Sequence, residues 1–222
     1  MIKEKLVEIS GVHFSYNSSP LLTDINLCIR EGDFVGVVGA NGSGKTTLVK
    51  LLLGHLTPQK GSICYYSNGA PVASPSIGYL PQYSAVDKRF PLSVREVVEM
   101  GLLTPRKMLH PFISSVDKQR VDEALERMGL SRLSSTSIGS LSGGELQKTI
   151  LARAIVSSPR LLLLDEPDTY LDSCSQARLY ELLKEINEDC AILLVSHDVS
   201  AVSEKCNLVV SVNHTLQVQS KI

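Results

Sequence analysis

Gly39-Ala40-Asn41-Gly42-Ser43-Gly44-Lys45-Thr46 restricts how this chain can fold more than any other stretch, because of what stands on either side of it. Before it, Phe34-Val35-Gly36-Val37-Val38 is short and continuously apolar, the pattern of a strand buried on both faces. After it, Lys45 to Leu53 reads as a helix, with Gly54 as its stop and Pro58 just beyond. A glycine-rich turn from a buried strand into a helix points to an α/β fold. The stretch also matches GxxxxGKT. Its glycines let backbone N–H groups turn inward around phosphate oxygens, helped by the helix N-terminus. Lys45 would neutralise the β- and γ-phosphates of a nucleotide, and the Thr46 hydroxyl would ligate Mg²⁺. A ligand-free glycine turn is the bland alternative, which a full match in this setting disfavours.

Further strands follow from the same logic. Ile25, Leu27 and Ile29 alternate with Asn26, Cys28 and Arg30, which predicts a half-buried strand. The runs Leu161 to Leu164 and Ala191 to Val195 predict two more central strands, with a helix from Arg178 to Ile186 between them. The middle third reads differently. Ser93 and Glu96 form a capping-box pattern ahead of Val94 to Leu103. Val121, Ala124, Leu125 and Met128 mark one face of a second helix that stops at Gly129. Between them, Thr104 to Ser115 holds Pro105 and Pro111 and reads as a loop. The expectation is an α/β core with a helical insertion over 84–158, ending where Pro159 begins the return to the sheet.

A chain of 222 residues fits one domain with a subdomain and can bury a sizeable core. The formal net charge of -1 gives no electrostatic reason to expect nucleic acid or an anionic membrane surface. Cys28, Cys64, Cys174, Cys190 and Cys206 are scattered and include no CxxC pair, so reduced and mostly buried thiols of a cytosolic protein are expected. Met1 to Ile9 alternates charged and apolar residues rather than presenting the apolar block of a signal peptide. The longest apolar runs are strand-length, whereas about 20 residues are needed to span a bilayer. Any membrane role would therefore pass through another chain.

Asp165 ends a buried strand, the place for a carboxylate that holds Mg²⁺ through water. Glu166 follows directly, where it would orient or deprotonate an attacking water. Ser142-Gly143-Gly144-Glu145 allows two readings. Ser-x-x-Glu is itself a capping box, yet each glycine at a helix start costs about 1 kcal/mol against alanine unless something approaches closely. A helix N-terminus opened by two glycines is an anion site.

Taken in order, Gly39 to Thr46, Leu141-Ser142-Gly143-Gly144-Glu145, and Leu161 to Leu164 running into Asp165-Glu166 resemble the ATP-binding-cassette (ABC) family over nearly the whole chain. The resemblance implies a P-loop NTPase (RecA-like) α/β core with a mixed sheet, N-terminal antiparallel strands and an inserted α-helical subdomain. The core would span 1–83 and 159–222, and the subdomain 84–158. It implies ATP as substrate with Mg²⁺, held by Gly39 to Thr47, and Glu166 as the catalytic carboxylate. Ser142, Gly143, Gly144 and Glu145 would bind the γ-phosphate held by an opposite copy, which requires a head-to-tail homodimer. Gln82 is similar to the glutamine that senses Mg²⁺, His197 to the histidine that contacts the γ-phosphate, and Tyr16 to the aromatic that stacks on adenine. On the residues alone, His197 reads more readily as a structural histidine, and Tyr16 equally as a core tyrosine. Asp172 matches the loop that joins the two sites. Glu145 and Lys148 depart from the commoner Gln and Arg, and Tyr170 is bulkier than usual.

Tyr83 to Val94, continuing to Gly101, is similar to the ATPases of zinc, manganese and iron importers, as are Ser196 to Ser203 and Val212-Asn213-His214. That implies an integral membrane permease as partner, an extracytoplasmic metal-binding protein indirectly, no nucleic acid, and a place on the cytoplasmic face of the membrane. His13, His55, His110 and His214 have no ligand spacing, so the transported ion is not expected to bind here. Lipoprotein-release and cell-division ATPases are the alternative, against which the Asp87 to Pro91 segment argues.

Overall fold

Apolar residues at alternate positions turn the first thirty residues into two long antiparallel strands, β1 (Lys5–Tyr16) and β2 (Ser19–Arg30). Val7 pairs with Ile29, Ile9 with Leu27 and Val12 with Ile25, and all six side chains are buried. Register shifts interrupt the pairing beyond Ile9, where Gly11 takes a φ of +57° that favours glycine. Strands β4 (Lys60–Ser67) and β5 (Ala70–Val72) complete an antiparallel sheet in the order β2-β1-β4-β5. The structure is a computed structural model that describes residues 3–17, 19–73, 76–82, 89–103, 113–169 and 171–219. The chain divides into two compact units, Met1–Ile77 with Arg160–Ile222, and Gly78–Pro159.

The first unit is built on a second sheet with the order β10-β9-β3-β8-β7. Its centre is β3 (Phe34–Val38), β7 (Leu161–Asp165) and β8 (Ala191–Val195), each buried at every residue. Continuous apolar runs of this kind suit parallel strands covered on both faces, and β3–β8 and β7–β8 are parallel. Burying one leucine side chain is worth about 1.5–3 kcal/mol, so Leu161 to Leu164 alone anchor this layer firmly. Beyond β3, β9 (Leu208–Asn213) runs parallel to it and β10 (Thr215–Gln219) turns back antiparallel, which makes the sheet mixed. Helix α1 (Lys45–Leu52) buries Leu48, Val49, Leu51 and Leu52. Strand β6 (Ile77–Leu80) starts at the last residue of this unit.

The second unit is helical. α2 (Val94–Glu99), α3 (Ser115–Arg127) and α4 (Gly143–Ile155) pack on one another through Val94, Val97, Val98, Val121, Leu125 and Leu146. Close packing is visible at Gly101, where an added Cβ would lie 2.0 Å from the Arg153 carbonyl oxygen. The Ser93–Glu96 capping box forms as expected, but the helix tightens into a 3-10 turn over Met100–Leu102 instead of continuing to Leu103. A second box, Ser114 with Asp117, starts α3 at Ser115, which sequence periodicity assigned to the loop. The rest of that expected loop, 104–112, lies outside the described residues.

Two expectations need correction. Helix α5 (Ser173–Asn187) begins five residues before Arg178, because Asp172 caps it and its first turn is polar, leaving no apolar period to read. Only Cys190 and Cys206 are buried. Cys28 is intermediate, while Cys64 and Cys174 are exposed, since one lies on a poorly covered strand of the first sheet and the other in the solvated first turn of α5.

Candidate active site

The turn from β3 into α1 forms an inward-facing cradle. Gly39 has φ +154° and Gly44 +107°, and a Cβ on Gly39 would meet the Val212 carbonyl at 2.3 Å and the Ser43 hydroxyl at 2.8 Å. Ala40, Asn41, Gly42 and Thr46 are exposed around this turn, while Ser43, Lys45 and Thr47 are buried. The Lys45 ammonium donates to the carbonyls of Gly39 at 2.9 Å and Ala40 at 3.0 Å, so it is folded back over the loop. Burial lowers its pKa, and the nearby charges of Glu166 and Asp165 oppose that shift. Among the described residues, Ser43 Oγ is the buried side-chain polar atom with no hydrogen-bond partner. An orphaned hydroxyl and a buried ammonium beside a glycine-rich helix start are donors suited to a multi-oxygen anion.

Asp165 closes β7 on the same side. Its carboxylate lies 3.5 Å from the Thr46 hydroxyl and is almost fully buried. Burial raises its pKa first, and the adjacent Glu166 charge raises it further; Thr46 and Lys45 only partly offset this. Two neighbouring carboxylates at a buried strand end therefore attract a cation more strongly than Lys45 alone supplies.

Glu166 takes φ +52°, the left-handed region that a non-glycine residue adopts at a cost of roughly 1–2 kcal/mol. That turn swings its side chain away from the strand direction, and its Oε1 lies 2.6 Å from His197 Nε2. His197 follows β8 and is partly exposed, so the two functional candidates come from the ends of adjacent parallel strands. Asp172 accepts from the Ser175 N–H at 2.9 Å as the N-cap of α5, and those hydrogen bonds hold its pKa below the usual carboxylate range. Tyr16 ends β1 at 46% exposed with its ring edge-on to Phe14, so it is not an ordinary core tyrosine.

The remaining candidates belong to the helical unit. Ser142 caps α4 and its hydroxyl accepts from the Glu145 N–H, while the Glu145 carboxylate accepts from the Ser142 N–H at 2.8 Å and hydroxyl at 2.7 Å. The capping box thus exists, and Ser142 holds the Glu145 pKa down. A Cβ on Gly144 would meet nothing within 4 Å among the described residues. Gln82 is exposed just beyond β6. Tyr170 lies outside the described residues, as do Tyr83 to Lys88 of the segment after Gln82.

Sequence reasoning passed over Asp168, whose carboxylate accepts hydrogen bonds from the Ser196 hydroxyl at 2.6 Å and the Tyr180 hydroxyl at 3.0 Å. No local pattern announces this cluster, because its members are 12 and 28 residues apart.

Comparison with known proteins follows the same lines. A family model described as ABC transporter matches residues 22–169. The zinc uptake system ATP-binding protein ZurA of Listeria innocua is 40% identical over 214 residues, covering 94% of this chain and 83% of that protein. The zinc import ATP-binding protein ZnuC of Histophilus somni is 38% identical over 214 residues, covering 96% of this chain and 74% of its own length. Among solved structures, cbiO1 from Clostridium perfringens, part of the ABC transporter complex cbiONQ, superposes with a TM-score of 0.81 at 26% identity, covering 99% of this chain and 89% of that one.

Proposed function

The chain belongs to the ABC transporter family as an ATP-hydrolysing subunit, and on that premise we propose that it powers uptake of a transition-metal ion, zinc before manganese or iron, through a separate membrane permease. The observation that carries the substrate class is 40% identity over 94% of the chain to a protein named for zinc uptake. No helix among the described residues is long and apolar enough to cross a membrane. In this reading the chain sits at the cytoplasmic face of the membrane, with a separate extracytoplasmic protein delivering the metal.

The residues fit Mg²⁺. Asp165 and Thr46 are the groups that would hold it, since burial and the adjacent Glu166 charge raise the Asp165 pKa and a cation beside it would offset both. When bound, the ion supplies charge that offsets the negative charge of the transferred phosphoryl group.

Lys45, the loop amides and the Ser43 hydroxyl hold the phosphates of ATP, and Tyr16 stacks on the base. Glu166 orients the attacking water and takes its proton, with His197 placed beside it to contact the γ-phosphate. Gln82 acts as the Mg²⁺-sensing glutamine. The Ser142-Gly143-Gly144 start of α4 meets the γ-phosphate on a second copy, with Glu145 drawn back into the capping box and Asp172 joining the paired sites. The open space at Gly144 supports this, since its lack of a side chain answers no neighbour described within the chain. ATP then closes a homodimer and hydrolysis releases it. Phe90, 62% exposed in the helical unit, is the apolar anchor for the permease, while Asp87 and Lys88 of the same segment lie outside the described residues.

The deciding experiment is deletion of the gene, followed by growth under a metal chelator. Impaired growth rescued by added zinc, or less strongly by manganese, is the expected result. Normal growth under metal starvation together with retained lipoproteins or failed division would replace this reading with a lipoprotein-release or cell-division ATPase.

A further inference from the structure

We propose that Asp168 is a positioning residue for hydrolysis: by binding Ser196 it clamps the segment that carries Glu166 to the segment that carries His197. The inference rests on the reading of Glu166 as the group that activates water. Its basis is a closed ring of contacts. At one end the Glu166 N–H donates to the Val195 carbonyl at 2.9 Å. At the other the Ser196 hydroxyl donates to Asp168 Oδ2 at 2.6 Å, a short charge-assisted bond. Glu166 and His197 lie on opposite sides of this ring, with Oε1 and Nε2 2.6 Å apart.

Each part of the ring is itself held. Ser196 is fully buried, its N–H donates to the Val37 carbonyl at 3.2 Å, and its Oγ accepts from the Asp198 N–H at 3.0 Å. Both neighbours of His197 are thus tied to one carboxylate, Ser196 directly and Asp198 through Ser196. The hydroxyl of buried Tyr180, on α5, donates to the same Oδ2 at 3.0 Å. Burial and the Asp168 charge push the Tyr180 phenol up, so it stays protonated and remains a donor. Gln176 on α5 also donates to Asp198 at 3.2 Å. The restraint matters at Glu166, whose φ of +52° would relax if the loop were freed. A carboxylate placed only to satisfy two buried hydroxyls would have no reason to join the two strand ends that carry the reacting groups.

The test is steady-state and single-turnover ATPase kinetics on the full chain. Asp168→Ala should lower kcat about tenfold to a hundredfold and leave KM for ATP within about twofold, since geometry and not nucleotide contact is lost. Asp168→Asn keeps an acceptor oxygen and should recover most of the rate. In a Glu166→Gln background, Asp168→Ala should cost nothing more, because a positioning residue has no effect once its target is gone. If Asp168→Ala does not fold, Ser196→Ala, which leaves the Tyr180 bond in place, carries the same expectations. Unchanged kcat in the foldable variant, a matched rise in KM, or an equal further loss in the Glu166→Gln background would overturn the proposal. Should Glu166→Gln itself turn over normally, the reading of Glu166 fails and this inference with it. An inactive Glu166→Gln beside a fully active Asp168→Ala sinks the positioning role alone.

Discussion

Single side chains in this site trade stability for chemistry, and Asp165 is the clearest case. Its carboxyl pKa is raised in the folded protein, so as pH climbs past the ordinary 3.8 the unfolded chain ionises first and stability falls until the folded group ionises too. Asp165→Asn removes that cost. The nucleotide-free variant should melt about 2–4 °C higher, equivalent to about 1 kcal/mol, and lose most of the further rise that Mg²⁺ with ATP gives the parent chain. Thermal melts with and without Mg²⁺ and ATP measure both; a lower melting temperature without ligand contradicts the charge argument. Lys45 behaves differently, because its ammonium is held by two loop carbonyls that, in the proposed function, phosphate oxygens replace. Lys45→Ala should weaken ATP binding at least about tenfold by the loss of a charge-assisted contact. Unaltered affinity in a titration would remove Lys45 from the site. Glu166→Gln should keep that affinity and lose most turnover.

Among the elements, helix starts carry much of the local specification. Ser93, Ser114 and Ser142 each cap a helix of the second unit with a reciprocal acidic partner three residues on. Loss of such a cap costs about 0.5–2 kcal/mol, so Ser114→Ala should lower the melting temperature by a few degrees without touching ATP affinity. Ser142→Ala has the same local cost but should also slow hydrolysis, and a purely structural effect would show the helix start is only a cap. At Gly101 the constraint is steric. Gly101→Ala forces a methyl into the Arg153 carbonyl and should destabilise the helical unit by about 1–3 kcal/mol, read by urea unfolding.

At the scale of the molecule, one chain carries one Gly39-to-Thr46 loop, proposed to hold phosphates, and one Ser142-Gly143-Gly144 helix start, each on a different compact unit. Mixing Lys45→Ala with Ser142→Arg chains should therefore restore one complete site per heterodimer. The ATPase rate should rise faster than linearly with protein concentration. A linear dependence and no rescue on mixing would show that the site is not shared between copies.

Much of this molecule was legible before any coordinates. The strand from Phe34 to Val38, the turn through Lys45, and the strands ending at Asp165 and Val195 were readable because apolar periodicity and glycine placement act over a few residues. Local chemistry also marked the Ser93 cap and the stop at Gly54. Other features have no local signal. β4 and β9 take their place from pairing with β1 and β3, strands distant in the chain, and β5 and β10 from pairing with them in turn, so no local pattern places any of the four. Residues 166 and 197 become neighbours because parallel β7 and β8 end in register, with Asp165 opposite Val195. The left-handed turn at Glu166 and the buried bonds of Asp168 with Ser196 and Tyr180 likewise depend on which strands lie side by side. Local sequence determined which segments become strands, caps and a glycine-rich strand-to-helix turn. Only the tertiary structure decided which carboxylate meets which hydroxyl, because that is a matter of through-space distance.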